Sequence, residues 1–196
     1  SVSLNNPEFF DHTDASNADD MTYIQVEGKK AILRQLNFYQ KYFKGFENAY
    51  IAEIAPMVGV RESRNICTEY VVTAHDLLSR RKFPDAFCQS NYPIDVHGKT
   101  LYFAEQESSD AGESPFFEIP CRSLMVKNVQ NLLVAGRCLG AEFLAQAAIR
   151  TQHTMRSSGE AAGILAALAA EQHAPVKELD GQLVRRIMKE RGAEYA

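Results

Sequence analysis

Arg61 and Arg64 stand three residues apart in the run Gly59-Val60-Arg61-Glu62-Ser63-Arg64, with the carboxylate of Glu62 between them. A guanidinium meets a planar anion through two parallel hydrogen bonds, so this spacing serves either anion binding or an internal Arg–Glu pair that fixes a turn. A second polar set follows in Tyr92-Pro93-Ile94-Asp95-Val96-His97. Its phenol, carboxylate and imidazole offer hydrogen bonding or proton transfer, although a histidine on a strand also serves as a satisfied structural residue. A third set surrounds the start of a long helix: Gly136 and Arg137 close an apolar run, and Arg150 precedes Thr151 to Thr154. The first turn of a helix carries unpaired N–H groups and a partial positive charge, which suit an anionic oxygen or a phosphate. The plainer alternative is a core helix with ordinary surface arginines.

Positioning these groups requires particular elements. Leu132, Leu133, Val134 and Ala135 form an apolar run without polar alternation, which predicts a strand covered on both faces, and Gly136 lets the backbone turn closely enough for a ligand to approach. From about Thr154 to Ala170 the chain lacks proline and is rich in alanine and glycine. That composition predicts a helix slim enough to pack backbone-close against a sheet or a ligand. Upstream, the spacing of Ala31, Ile32, Leu36, Tyr39 and Phe43 predicts a helix from about Asp20 to Phe43, with Gly45 as its stop. Ala49 to Ala55 and Glu69 to Val72 read as strands, as does Phe116 to Ile119. Thr73 with Asp76 three residues later signals a capped short helix, and Asp180 caps a last one striped by Leu183, Val184, Ile187 and Met188. Gly98 to Gly112 is a polar connection.

At 196 residues the chain can bury the core of one sizeable domain or of parts of two. A net charge of -4 gives no electrostatic case for nucleic acid or an anionic membrane. No run approaches the roughly 18 apolar residues of a membrane span. Cys67, Cys88, Cys121 and Cys138 are too widely spaced for a zinc site or an iron–sulfur cluster, so no metal is expected.

Two blocks carry a resemblance. Ile119 to Ala170, with IPCRSL and AGRC, and Ile54 to His97, with GVRESR and YPID-H, resemble the carboxy-terminal part of the FAD-dependent oxidoreductases with a glutathione-reductase-like fold. Together they cover about half the chain directly. The resemblance implies an α+β (or α/β) fold: the carboxy-terminal part of a two-domain FAD-binding flavoprotein, with a mixed sheet and packed helices. Residues 1–125 would supply a substrate or cap portion and interdomain segments, and residues 126–196 the end of the FAD-binding domain. The family's amino-terminal GxGxxG turn is missing, so the chain reads as the back portion of a longer protein whose front half is its partner. Localisation is left open on that ground.

The implied cofactor is FAD and the implied partner a small-molecule substrate. The resemblance puts Gly136 and Arg137 beside the ribityl or pyrophosphate part; at the helix start, Ile149, Thr151, Gln152, His153 and Thr154 are then the candidates to face the ring, where reduction builds negative charge, and Arg150 either neutralises the reduced ring or holds its neighbouring loop. Arg61, Arg64, His97 and Arg122 are the substrate-side candidates. Arg122 either orients a carboxylate-bearing substrate or pairs with the acids near Arg61 and Arg64. Departures from the family pattern are Phe143 and Leu144, where relatives show histidine and glutamate, and His153, where they show proline. They allow a different substrate, a lost activity, or a new proton donor in His153. A non-catalytic module that retains the fold, and more remotely a carbohydrate-processing enzyme, are the alternatives.

Overall fold

The computed structural model describes residues 2–5, 7–9, 13–96, 99–101 and 114–195. They fall into two compact units, Ser1–Ser63 and Arg64–Ala196.

The first unit is built on helix α1, Ala18–Tyr42. Asn17 caps it by accepting the Asp19 amide at 2.9 Å, and Asp19 and Asp20 place negative charge in its first turn. Phe43 leaves the helix in an extended conformation, and Gly45 follows at φ +92. Phe38, Tyr39, Phe43 and Phe46 gather there, with the Tyr39 and Phe43 rings edge to face at 5.2 Å. The strand expected from Ala49 to Ala55 is absent. The Ala49 carbonyl accepts from the Gln40 side chain at 2.9 Å, and Gln25 reaches the Pro56 carbonyl at 3.0 Å. Side chains of α1 thus take backbone groups at both ends of this segment.

The second unit carries α2 (Ala74–Leu78), β1 (Ala86–Ser90), β2 (Ile94–Val96), β3 (Lys99–Leu101) and β4 (Phe117–Pro120). A 3-10 turn over Cys121–Leu124 precedes α3 (Phe143–Ile149), α4 (Gln152–Gln172) and α5 (Gly181–Glu190). Strands β1 and β4 pair antiparallel with Cys88 opposite Ile119 and a bulge between Ala86 and Cys88; β2 and β3 also pair antiparallel. The class is therefore mixed α+β, and the described strand pairs are antiparallel rather than mixed; a parallel contact survives as the isolated bridge between Val72 and Ala141. The predicted Thr73–Asp76 capping box is present in both directions. Asp180 caps α5 by accepting the Gln182 amide at 2.9 Å.

Phe87, Ile119, Leu124, Leu139, Ile149, Leu165, Val184 and Met188 are the heart of one core, onto which α4 and α5 pack beside β1. Burying side chains of this size contributes about 1.5–3 kcal/mol each. Helix α4 turns Thr154, Ser158, Ala161, Leu165 and Leu168 inward at helical spacing. The small residues expected to pack backbone-close divide: Ala161 is buried and Ala162 and Ala169 pack against the core, whereas Gly163, Ala166, Ala167 and Ala170 are exposed, and a Cβ built on Gly159 or Gly163 would meet nothing within 4 Å. The helix ends before Pro175, where His173 takes the left-handed conformation at φ 51.

Two further expectations need correction. Leu132 to Ala135 is not a covered strand: its pairing is a single bridge from Leu133 to Met125, and Leu132 and Ala135 are exposed. Glu69 to Val72 is not a strand either, because the Glu69 and Tyr70 amides donate to Met125 and Arg122 carbonyls at the end of the 3-10 turn instead of joining a ladder.

A buried ion pair ties α5 to the sheet. Glu118 on β4 is 2% exposed and accepts Arg185 Nη2 at 2.8 Å, Arg185 Nη1 at 3.1 Å and the Phe83 amide at 2.7 Å. The tail closes beside it, with the Tyr195 hydroxyl donating to the Phe87 carbonyl at 2.9 Å and the Arg185 guanidinium 4.6 Å from the Tyr195 ring.

Candidate functional site

The cofactor-side candidates of the sequence lie at and beside the amino end of α4. Arg150 ends α3, and its amide donates to the Gln146 carbonyl at 3.1 Å. Its side chain is largely buried, and Nη2 donates to the Asp95 carbonyl at 2.8 Å, with Asp95 Oδ2 at 3.9 Å. This bond joins the start of α4 to β2 within the Tyr92 to Val96 segment. His97, which completes that motif, lies outside the described residues.

Thr151 is the N-cap of α4, yet no side chain caps the helix. Its Oγ1 lies 3.0 Å from Thr154 Oγ1 and 3.2 Å from His153 Nε2. The amides of the first turn therefore keep their donor capacity, and Gln152 and His153 stand exposed above them. Thr154 and Ile149 are fully buried, so Ile149 lends the site a core anchor rather than a polar group. Below, the side chains of Thr154 and Ser157 reach the buried Cys88 thiol; burial, which outweighs those hydrogen bonds, pushes that thiol up.

Gly136 and Arg137 form a turn held from two sides. The Gly136 amide donates to Ser158 Oγ on α4 at 2.9 Å, and the Arg137 carbonyl accepts from Gln146 Nε2 on α3. Gly136 has φ +87, a left-handed conformation that favours glycine, and nothing stands within 4 Å of the place a Cβ would take. Arg137 is exposed. Gly140 shows the opposite constraint: a Cβ there would lie 1.7 Å from Thr68 Oγ1, so glycine is needed for Thr68 to pack on the loop that leads into α3.

The remaining candidates are placed differently. Arg122 binds Asp85 through Nε at 2.9 Å and Nη2 at 3.3 Å and lies 5.2 Å from the Tyr70 ring. Its carboxylate partner is thus Asp85, not an acid near Arg61 and Arg64. The guanidinium is half-exposed, and Nη1 makes no hydrogen bond among the described residues. Arg81 lies 5.8 Å from the same Tyr70 ring and pairs with Asp76, whose side chain is buried. Arg61 is half-buried in the first unit, and Arg64 is exposed in the second. Tyr92 is exposed, as are Phe143 and Leu144 at the start of α3.

Gln146 is the residue the sequence reading passed over. It is fully buried among Ala145, Ala147, Ala148 and Ile149, and the signal was available: one amide inside an otherwise apolar AQAAI run. Its Oε1 has no hydrogen-bond partner in the described structure.

An uncapped helix end, a left-handed glycine with open space beside it and a largely buried arginine paired with Asp95 lie together, and unpaired N–H groups of a helix end can receive an anionic group. The model of the family described as FAD dependent oxidoreductase matches residues 1–188, and the chain belongs to that family. Its cofactor is FAD, and the open, donor-rich end of α4 fits such a group. No curated protein and no solved structure matches the chain. Among the described residues no helix is long and apolar enough to cross a membrane, and no cluster of three His, Cys, Asp or Glu forms a metal site.

Proposed function

We propose that this chain is the carboxy-terminal part of a two-domain, glutathione-reductase-like flavoprotein that oxidises or reduces a small molecule. Residues 126–196 end the FAD-binding domain, residues 1–125 supply the cap portion, and a GxGxxG half elsewhere in the polypeptide holds the pyrophosphate. Bound FAD supplies hydride or electron transfer. The chain's own residues bind and orient it. The amides of Thr151 to Thr154 offer donors and a positive dipole end to the part of the ring where negative charge collects, and Ile149 anchors them to the core. Arg150 adds a positive charge, held in place by the Asp95 carbonyl and partly offset by the Asp95 carboxylate at 3.9 Å. Gly136 allows close approach, and Arg137 faces the ribityl or pyrophosphate end. Arg61, Arg64, His97 and Arg122 serve the substrate, Arg122 through the edge that Asp85 leaves uncommitted.

The observation that carries this reading is the uncapped start of α4 beside the Gly136–Arg137 turn and Arg150. The test is to express the complete polypeptide, extract any bound cofactor and identify it. FAD at near one per chain is the expected result. A colourless, well-folded protein that takes up no FAD overturns the reading and leaves a non-catalytic module.

A further inference from the structure

Resting on the flavin reading above, we propose that Gln146 is a positioning residue: it holds the Gly136–Arg137 turn in the one backbone conformation that FAD meets. Gln146 is fully buried in α3, where leucine would fill similar space without placing polar atoms in the core. The amide is retained although Oε1 finds no partner, and an unmet buried acceptor is a cost that packing does not explain. What the amide does, and leucine cannot, is donate through Nε2 to the Arg137 carbonyl. The orientation is fixed, because a flipped amide would set oxygen against oxygen.

The turn has a second tie on the opposite element. The Gly136 amide donates to Ser158 Oγ at 2.9 Å, and that hydroxyl donates to the Met155 carbonyl at 2.6 Å within α4. One N–H is bound to α4 and the next carbonyl to α3, so two successive residues are clamped between the helices that flank the site. Gly136 at φ +87 could otherwise visit several backbone basins, since glycine has little steric preference. Fixing both peptide groups sets the direction in which the exposed Arg137 leaves the turn and keeps the space beside Gly136 open.

The experiment titrates FAD into the apo form of the complete polypeptide, followed by flavin fluorescence at pH 6, 7 and 8. Wild type, Gln146→Leu, Gln146→Glu and Ser158→Ala are compared. Gln146→Leu is expected to bind FAD about tenfold more weakly, because the Arg137 carbonyl loses its donor. Gln146→Glu is equally weak at pH 8 and recovers toward wild type at pH 6. Burial raises its carboxyl pKa, and the protonated acid donates to the carbonyl that the carboxylate repels. A space-filling role predicts no such pH dependence. If Gln146→Leu does not fold, Ser158→Ala, which cuts the other tie of the same turn, carries the same expected loss. Wild type that takes up no FAD sinks the flavin reading and this inference with it. Wild type that binds while all three variants bind equally well at every pH sinks this inference alone.

Discussion

Replacing Glu118 by glutamine removes one charge from the pair that fastens α5 to β4. The carboxylate accepts three hydrogen bonds, from Arg185 Nη2 at 2.8 Å, Arg185 Nη1 at 3.1 Å and the Phe83 amide at 2.7 Å. A glutamine has one oxygen, so whichever way its amide is turned an NH2 group faces a donor. Arg185 is left without a counter-charge, while its Nη1 keeps the Phe83 carbonyl at 2.8 Å. Breaking one side of a buried pair costs about 3–5 kcal/mol. The Arg185 side chain is 22% exposed and retains a route to water, which puts the loss near the lower end, about 3 kcal/mol. At about 2–4 °C per kcal/mol for a protein of this size, Tm should fall by about 6–12 °C. Thermal melts by circular dichroism and urea titrations with an unchanged m-value would measure it. Exchanging both partners, Glu118→Leu with Arg185→Leu, should restore part of the loss, since no charge is orphaned although the Phe83 amide loses its acceptor. A fall in Tm below about 2 °C for the single variant, or a double variant no better than the single, would refute the argument that charge matching holds α5.

Two other outcomes follow from the geometry. Gly140→Ala forces a Cβ to 1.7 Å from Thr68 Oγ1, which is itself bound to the Tyr70 carbonyl at 2.7 Å, so the loop must shift; a loss of about 1–3 kcal/mol in chemical denaturation is expected, and wild-type stability would contradict it. The Tyr70 and Tyr195 phenols are each pushed up to about 12, both chiefly by burial, with the Asp76 hydrogen bond adding to the effect at Tyr70. The folded state then keeps protons that the unfolded state releases near pH 10, so their contribution to stability is complete below about 10 and is lost as pH rises toward 12. Ultraviolet titration should show these two phenols ionising late and together with unfolding; normal ionisation of every tyrosine in an intact fold would count against it.

The parts of the fold that were legible in the sequence are those set by local chemistry. Thr73 and Asp180 each have a side chain that satisfies nearby amides, so α2 and α5 begin where the pattern put them; α1, placed by apolar spacing alone, begins two residues early, where Asn17 caps it. Leu132 to Ala135 failed because an apolar run lacks a period; only the positions of its partners decide whether it pairs along a ladder, and here the bridge to Met125 does not extend. The expected packing of the small residues of α4 is met at Ala161, Ala162 and Ala169 and fails at Gly163, Ala166, Ala167 and Ala170, for a related reason. Small residues permit close approach without attracting a partner, and the larger Ile164, Leu165 and Leu168 chose which face went inward. Within the candidate site, Arg150 and the start of α4 could be named from sequence, but their contact with Asp95 spans 55 residues and follows no local pattern. Gln146 was missed because a glutamine in a helix is ordinarily a surface residue, and only its depth of burial sets it apart.

The bond between Tyr195 and the Phe87 carbonyl bridges 108 positions of the chain, and the Arg185–Glu118 pair bridges 67. Strands β1 and β4 are therefore synthesised before the groups that seal them, and a polypeptide emerging from the ribosome carries Phe87 and Glu118 unsealed until α5 and Tyr195 have been translated. Contacts of such long sequence separation close a large loop before they reward it, so the seal over Phe87 and Glu118 is a slow contact to form.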